Sequence, residues 1–382
     1  MNKGFVIGLN SGTSFDGVDV ALVKFSHNLK PKFVDGIIYQ YSKAIKEKIR
    51  RLVSCNPVHL QEISQLNFLL GEIFAASANK IIKKNNLKKK DILLIASHGQ
   101  TIFHHPQTEI LGKYRINSTL QIGESSVIAF KTGIKTISNF REGDIAAGGT
   151  GAPLVPYLDQ MVFGSSKIPK AILNIGGISN VTIVGKNITT IAFDIGPGNG
   201  LIDLICNSHF KKDFDNNGEI AKKGKINFNA IEKALKDPYF KKKPPKSTGK
   251  EYFNLHFIQK YFSQVKKPED KIATVTYFSA KVIEKAFNDF IFPKYNVKEI
   301  VISGGGIKNK TLIRHLRQLL IVETPSRVSL LVQSDKYNLP YKYKEAVLFA
   351  LLGYTSLKGI LNNIPSCTGA TKKITLGKIS GS

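Results

Sequence analysis

Short apolar strands that break into glycine-bearing turns recur in both halves of this 382-residue chain, and no other feature restricts its fold as strongly. Phe5-Val6-Ile7-Gly8-Leu9 and Val18-Asp19-Val20-Ala21-Leu22-Val23 read as two strands of a hairpin, joined by Asn10-Ser11-Gly12-Thr13-Ser14-Phe15-Asp16-Gly17. In the second half, residues 171–184 read as strand, Gly176-Gly177 turn, strand. Residues 191–195 form a strand that enters Gly196-Pro197-Gly198-Asn199, and residues 299–303 one that enters Gly304-Gly305-Gly306, followed by a helix from Asn309 to Leu320. Between the halves of this pattern, apolar residues at helical spacing from Leu60 to Leu87 lead into a short buried strand, Ile92 to Ala96, that ends at Ser97-His98-Gly99-Gln100-Thr101. Helix followed by strand indicates an α/β layer, and its repetition predicts a duplicated, two-domain protein. Lys241 to Lys250, rich in lysine and proline, reads as a surface loop.

Composition removes several function classes. With 42% hydrophobic residues the chain can bury one large core or two, which excludes intrinsic disorder as its main state. The longest strongly apolar stretch, Ala346 to Leu357, falls short of the ~20 residues that a membrane span needs, and the N-terminal residues make no secretory signal. A cytoplasmic protein without a membrane partner is expected. Three separated cysteines, Cys55, Cys206 and Cys367, argue against a disulfide framework and a zinc site. The net charge of +27 would normally point to nucleic acid, but only seven of the 55 cations are arginine and tryptophan is absent. Base and phosphate readers favour the arginine fork and stacking aromatics, so dispersed lysine predicts solvated faces and no nucleic-acid partner.

The turns carry the chemistry. Glycine at a strand end lets the backbone approach a phosphate, and the hydroxyls of Thr13 and Ser14 add donors. Neither GxxxxGK[ST] nor GxGxxG is present. One such turn is more readily an ordinary hairpin; three, two of them with an acidic residue, favour phosphate binding. Asp16, Asp19 and Asp194 lie in or beside the turns, where a carboxylate either holds Mg²⁺ through water or takes a proton from a nucleophile. By spacing alone, Asp194 is equally a turn-capping aspartate. His98, with Ser97, Gln100 and Thr101, fits substrate orientation by hydrogen bonding, and no GxSxG elbow supports a nucleophilic triad.

The ordered set Ser11-Gly12-Thr13-Ser14-Phe15-Asp16-Gly17-Val18-Asp19, Ser97 to Thr101, Thr119 to Gly123, Phe140-Arg141 with Asp144 to Gly149, and Gly151 to Pro156 resembles the anhydro-N-acetylmuramic acid kinase family. Leu173 to Gly177, Phe193-Asp194 with Gly196 to Asn199, Pro245 to Gly249, Ser303 to Gly306 and Thr368-Gly369-Ala370 continue the likeness over nearly the whole chain. The resemblance implies two ribonuclease-H-like domains of the sugar kinase and actin type with an interdomain ATP cleft, here residues 1–139 with 359–382 and residues 140–358. It further implies ATP phosphates at Gly12, Thr13, Ser14, Phe15, Asp16, Gly17, Val18 and Asp19, the nucleoside near Gly304, Gly305 and Gly306, and Asp194 as catalytic base. Substrate contacts would come from His98, Gln100, Thr101, Arg141 and Glu345, although Arg141 is as readily a domain-packing ion-pair partner and Glu345 a helix-start carboxylate. The implied reaction uses ATP and Mg²⁺, with Asp194 activating water against the anomeric carbon of 1,6-anhydro-N-acetylmuramic acid while O6 takes the γ-phosphoryl group; a homodimer is implied as well. Two positions depart from the family pattern, Asn10 in place of methionine and Glu142-Gly143 in place of a basic pair. A kinase for another sugar or small acid, and a nucleotide-dependent binding protein without turnover, are the readings that the residues leave open.

Overall fold

The computed structural model describes residues 4–12, 15–25, 29–54, 57–321 and 330–381. Its strands are β1 (Phe5–Ser11), β2 (Gly17–Phe25), β3 (Pro31–Gln40), β4 (Ile92–Leu111), β5 (Tyr114–Ile122), β6 (Thr136–Ser138), β7 (Lys170–Ile175), β8 (Ile178–Val184), β9 (Ile191–Pro197), β10 (Glu299–Ser303), β11 (Leu330–Gln333) and β12 (Lys378–Ser380). The chain divides into two compact units, residues 1–162 with 338–382 and residues 163–337.

In the first unit the sheet runs β12-β6-β4-β1-β2-β3, with β5 paired to β4. β2 is antiparallel to both neighbours, whereas β1, β4 and β6 are parallel. β1 is buried on both faces, which explains its nearly unbroken apolar run. One face packs Ile7, Leu9, Val20 and Leu22 against Leu66, Leu70, Phe74 and Ile81 of the helix Leu60–Lys84. Each such side chain contributes roughly 1.5–3 kcal/mol on full burial, so packing holds this helix more than its own propensity does. The other face receives the apolar helix Lys344–Leu357. Its backbone comes so close to β1 that a Cβ on Gly8 would stand 1.9 Å from the Ala346 carbonyl oxygen.

In the second unit the order is β11-β10-β7-β8-β9, with β8 antiparallel to its neighbours and β7, β10 and β11 parallel. Both sheets thus share a central order of strands 3-2-1-4-5 with strand 2 reversed, β6 standing fifth in the first sheet, where β12 extends it; this is the ribonuclease-H-like order that the resemblance implies. The helix Pro268–Ala286 buries Ile272, Val275, Phe278, Val282 and Ile283 and packs on β9. Asn309 caps the helix Lys310–Leu320 through its side-chain oxygen, 3.0 Å from the Leu312 N–H.

Two sequence expectations change. The domain boundaries move: residues 140–162 and 338–358 belong with the first unit. The helix Lys344–Leu357 covers the first sheet, and Asp144 is gripped by Asn363 Nδ2 at 3.1 Å and Thr368 Oγ1 at 2.8 Å. The strand expected to end at Ala96 continues to Leu111, because the polar run Ser97–Thr101 still pairs its backbone with β1 and then with β5. Cys206 is a buried thiol, and Cys55 lies outside the described residues. Among the described residues no helix is long and apolar enough to cross a membrane.

Gly8→Ala tests the sheet-helix contact. An added methyl group forces the helix away from β1, and the expected cost is about 1–3 kcal/mol, measured as a lower urea midpoint than wild type.

Candidate active site

In the first unit, the ends of β1 and β2 and the start of the helix Lys344–Leu357 converge. Asn10 and Asp19 are paired in register, so their side chains share a sheet face. Gly8, two residues before Asn10, lies on that same face beneath the helix, which brings Glu345 to Asn10: Asn10 Nδ2 donates to Glu345 Oε2 at 2.7 Å. Burial, reinforced by the Glu345 charge, raises the Asp19 carboxyl to about 7. Beneath Glu345, Lys344 forms a buried ion pair with Asp159 at 2.8 Å, which fixes the start of the helix.

The glycine turn is tied to β4. Ser11 Oγ is 2.6 Å from Gln100 Oε1 and 3.0 Å from the Gly17 carbonyl oxygen, and it accepts from the Tyr41 hydroxyl at 3.0 Å. Gln100 Nε2 donates to the Thr101 carbonyl at 3.1 Å and reaches the Gly12 carbonyl at 3.5 Å. Gln100, expected at the substrate, is fully buried and spends its amide on the turn. Among the described residues a Cβ on Gly12 would meet nothing within 4 Å, which leaves the backbone there room for a ligand. Asp16 is exposed and paired with Lys46 at 3.5 Å, and Val18 places its side chain in the core. Phe15 packs against that core too, while Thr13 and Ser14 lie outside the described residues.

Beside this turn, Arg141 Nε donates to His98 Nε2 at 3.0 Å and Arg141 Nη1 to the Gly151 carbonyl at 2.8 Å. The acceptor role of Nε2 places the proton of a neutral His98 on Nδ1. Burial, with the neighbouring guanidinium, holds His98 well below the ordinary imidazole range, and its ring stacks on Phe349 at 4.4 Å. Thr101 Oγ1 accepts from Gln121 Nε2 at 3.2 Å.

In the second unit a polar row crosses the sheet. Ser303, Asn174, Asn180 and Asp194 are successive register partners on β10, β7, β8 and β9, and so face the same way. Asp194 is half-buried, and burial raises its carboxyl above the usual range against the lowering effect of two hydrogen bonds. Both fall on Oδ2: the Ser247 hydroxyl donates at 2.9 Å and the Thr248 N–H at 3.0 Å. Near the same row, Gly304 adopts φ +86°, and a Cβ there would lie 2.6 Å from the Ile175 carbonyl oxygen. Only glycine fits this turn. Gly306 is similarly crowded, by Ile175, whereas Gly305 faces open space.

The expected residues thus gather within their own units: Gly12, Asp19, His98, Gln100, Thr101, Arg141 and Glu345 in the first, Asp194 and Gly304–Gly306 in the second. Sequence reasoning did not assign Ser247 and Thr248 to Asp194. Their motif, Pro245 to Gly249, was visible, but a partner 53 residues away leaves no local signal. Among the described residues no group of three or more His, Cys, Asp or Glu side chains could hold a metal by itself.

The sequence matches the family model described as anhydro-N-acetylmuramic acid kinase over residues 4–381. A relative of that name from Caldanaerobacter subterraneus subsp. tengcongensis is 43% identical over 388 residues, covering 98% of this chain and 96% of the relative. One from Clostridioides difficile is 42% identical and one from Francisella tularensis subsp. novicida 40% identical, each covering 98% of both chains.

The carboxylate pair generates a pH prediction. Carboxyl ¹³C resonances should show Asp19 titrating near 7, and Glu345→Gln should move that midpoint down. Because the fold favours the protonated acid, the contribution of Asp19 to stability is complete below its ordinary value of 3.8 and is lost as pH rises through 7. An unchanged midpoint in Glu345→Gln would show that the two carboxylates do not interact.

Proposed function

The chain belongs to the anhydro-N-acetylmuramic acid kinase family, and from that premise we propose how its residues divide the work of an ATP-dependent kinase that opens the 1,6-anhydro bond and phosphorylates O6. The reaction serves peptidoglycan recycling and gives N-acetylmuramic acid 6-phosphate. The observation that carries the assignment of the base is the half-buried Asp194 carboxylate, raised by burial and bonded, among the described residues, at Oδ2 alone by Ser247 and Thr248. This supports Oδ1 as the oxygen that takes the proton from water. The water oxygen bonds to the anomeric carbon, the C1–O6 bond breaks, and O6 uses the released electron pair to accept the γ-phosphoryl group from ATP as ADP leaves. One carboxylate suffices, because transfer of the phosphoryl group depends on positioning and charge neutralisation more than on further proton transfer.

The open backbone at Gly12, in the turn that Gln100 pins from beneath, would take ATP phosphates, and the Gly304–Gly306 turn would lie at the nucleoside. A hard cation fits the donor chemistry of Asp19 and Glu345, two neighbouring carboxylates of which one is raised by burial and by the other's charge. These two residues would hold Mg²⁺ largely through water, and the ion would neutralise phosphate charge. Arg141, its guanidinium oriented by His98 and Gly151, and Thr101 would contact the sugar and its carboxylate side chain. The family resemblance also supports a homodimer in the cytoplasm.

Turnover in ¹⁸O-labelled water tests the assignment. Wild type should place the label at the anomeric oxygen of the phosphorylated product, and Asp194→Asn should lower kcat by about 10²–10⁴. Full activity in Asp194→Asn would remove Asp194 as the base; wild type inactive toward this sugar would overturn the substrate assignment.

A further inference from the structure

Asp194 is held at three points by one distant segment. Its N–H donates to the Lys246 carbonyl at 3.0 Å, and its Oδ2 accepts from the Ser247 hydroxyl and the Thr248 N–H. Its own carbonyl accepts from the Tyr239 hydroxyl at 2.8 Å. The segment is itself anchored. Asp237 accepts from the Tyr239 N–H at 3.0 Å, the Tyr252 hydroxyl at 2.6 Å and the Tyr261 hydroxyl at 2.8 Å. Lys246 Nζ lies 4.7 Å from the centre of the Tyr239 ring and 5.1 Å from that of Phe290, a cation held between two aromatic rings. Such convergence exceeds what closing an exposed loop requires. Asp194 stands on the edge strand β9, so its N–H and carbonyl need partners from outside the sheet; its side chain needs none for that purpose, and here both donors to it reach the same oxygen.

We infer that Ser247 and Lys246 are positioning residues of the hydrolytic half-reaction: Ser247, with the Thr248 N–H, locks the Asp194 carboxylate so that Oδ1 alone faces the attacking water, and the ring-held Lys246 anchors that lock. The inference rests on Asp194 being the base. A carboxylate free to rotate about χ2 exchanges its two oxygens, whereas one with both donors on Oδ2 keeps one basic lone pair aimed at the reacting water. The same contacts act on the acidity of the base. Burial and Glu251 raise the carboxyl, while Thr248, Ser247 and the Lys246 ammonium lower it. Lys246 is brought to about 8 by burial and by Lys285 and Lys242, against the opposing pull of Asp289 and Asp194. The lock therefore opposes the rise that burial imposes on the carboxyl.

The test is Ser247→Ala, with Ser247→Thr as the conservative variant and Asp194→Asn as the reference. Because Ser247 is exposed, its removal should leave the melting temperature near that of wild type. Ser247→Ala should lower kcat about tenfold with little change in KM for the sugar or ATP, the scale of one hydrogen bond to a charged group. The acid limb of its kcat/KM profile should move to higher pH, and Ser247→Thr should restore both rate and limb. If Asp194→Asn is inactive but Ser247→Ala keeps the wild-type rate and pH profile, the segment only closes the loop and the inference is overturned. If Asp194→Asn retains full activity, the base assignment has failed and the lock falls with it. Should Ser247→Ala melt early, Lys246→Met gives the same readout: an acid limb moved upward supports the lock, and one superposed on wild type overturns it.

Discussion

The close approach of the helix Lys344–Leu357 to β1 is the contact on which the first unit depends. It exists because residue 8 has no side chain: the helix backbone occupies the volume that a Cβ would need, 1.9 Å from the Ala346 carbonyl oxygen. One residue earlier on the helix, Glu345 reaches Asn10 on the same sheet face, and Asn10 lies opposite Asp19. The buried Lys344–Asp159 pair closes the arrangement from below. Removing one partner of such a pair strands a charge, at a typical cost of about 3–5 kcal/mol, whereas the pair itself need contribute little net stability. Its consequence here is geometric, since it leaves the helix start no alternative rotation that would carry Glu345 away from Asn10.

The second unit reaches a comparable precision by different means. Its polar row comes from four adjacent strands in register, so the sheet alone aligns Ser303, Asn174, Asn180 and Asp194. What the sheet cannot do is orient a carboxylate about its last torsion. That task falls to donors from outside the sheet, and Ser247 and Thr248 supply them. Tyr239 links backbone and loop in one structure, donating to the Asp194 carbonyl while its ring faces the Lys246 ammonium.

Much of this was legible in the sequence wherever the signal is local. Strand-turn units at Phe5, Ala171, Ile191 and Glu299 stand where the apolar runs put them, and Asp194 was visible as an acid ahead of Gly-Pro-Gly. The signal failed where pairing is not local. Ser97 to Thr101 reads as the end of a strand because its side chains are polar, yet its backbone is bonded from both sides. Gln100 reads as a substrate contact because it shares the polar segment of His98; its burial against Ser11 depends on a partner 89 residues away. The lysine-rich stretch from Lys241 to Lys250 has the composition of a solvated loop, and most of its lysines are exposed. Lys246 differs only in what surrounds it. The domain boundary at residue 358 was misplaced for a related reason, since an apolar helix packs equally well on either sheet and its sequence does not say which.

Asp19 and Asp194 show how one residue type meets two environments. Both lose water on burial, and in both the carboxyl rises. At Asp194 burial raises the carboxyl, with Glu251 adding to the rise, and two hydrogen bonds and an ammonium oppose it. At Asp19 the neighbouring Glu345 adds to the rise, and Lys342 opposes it only in part. That carboxyl reaches full charge at neutral pH only when more positive charge arrives. Under the proposed division of work, the two environments would separate proton transfer, which needs a base, from phosphate neutralisation, which needs a site whose charge appears together with its cation.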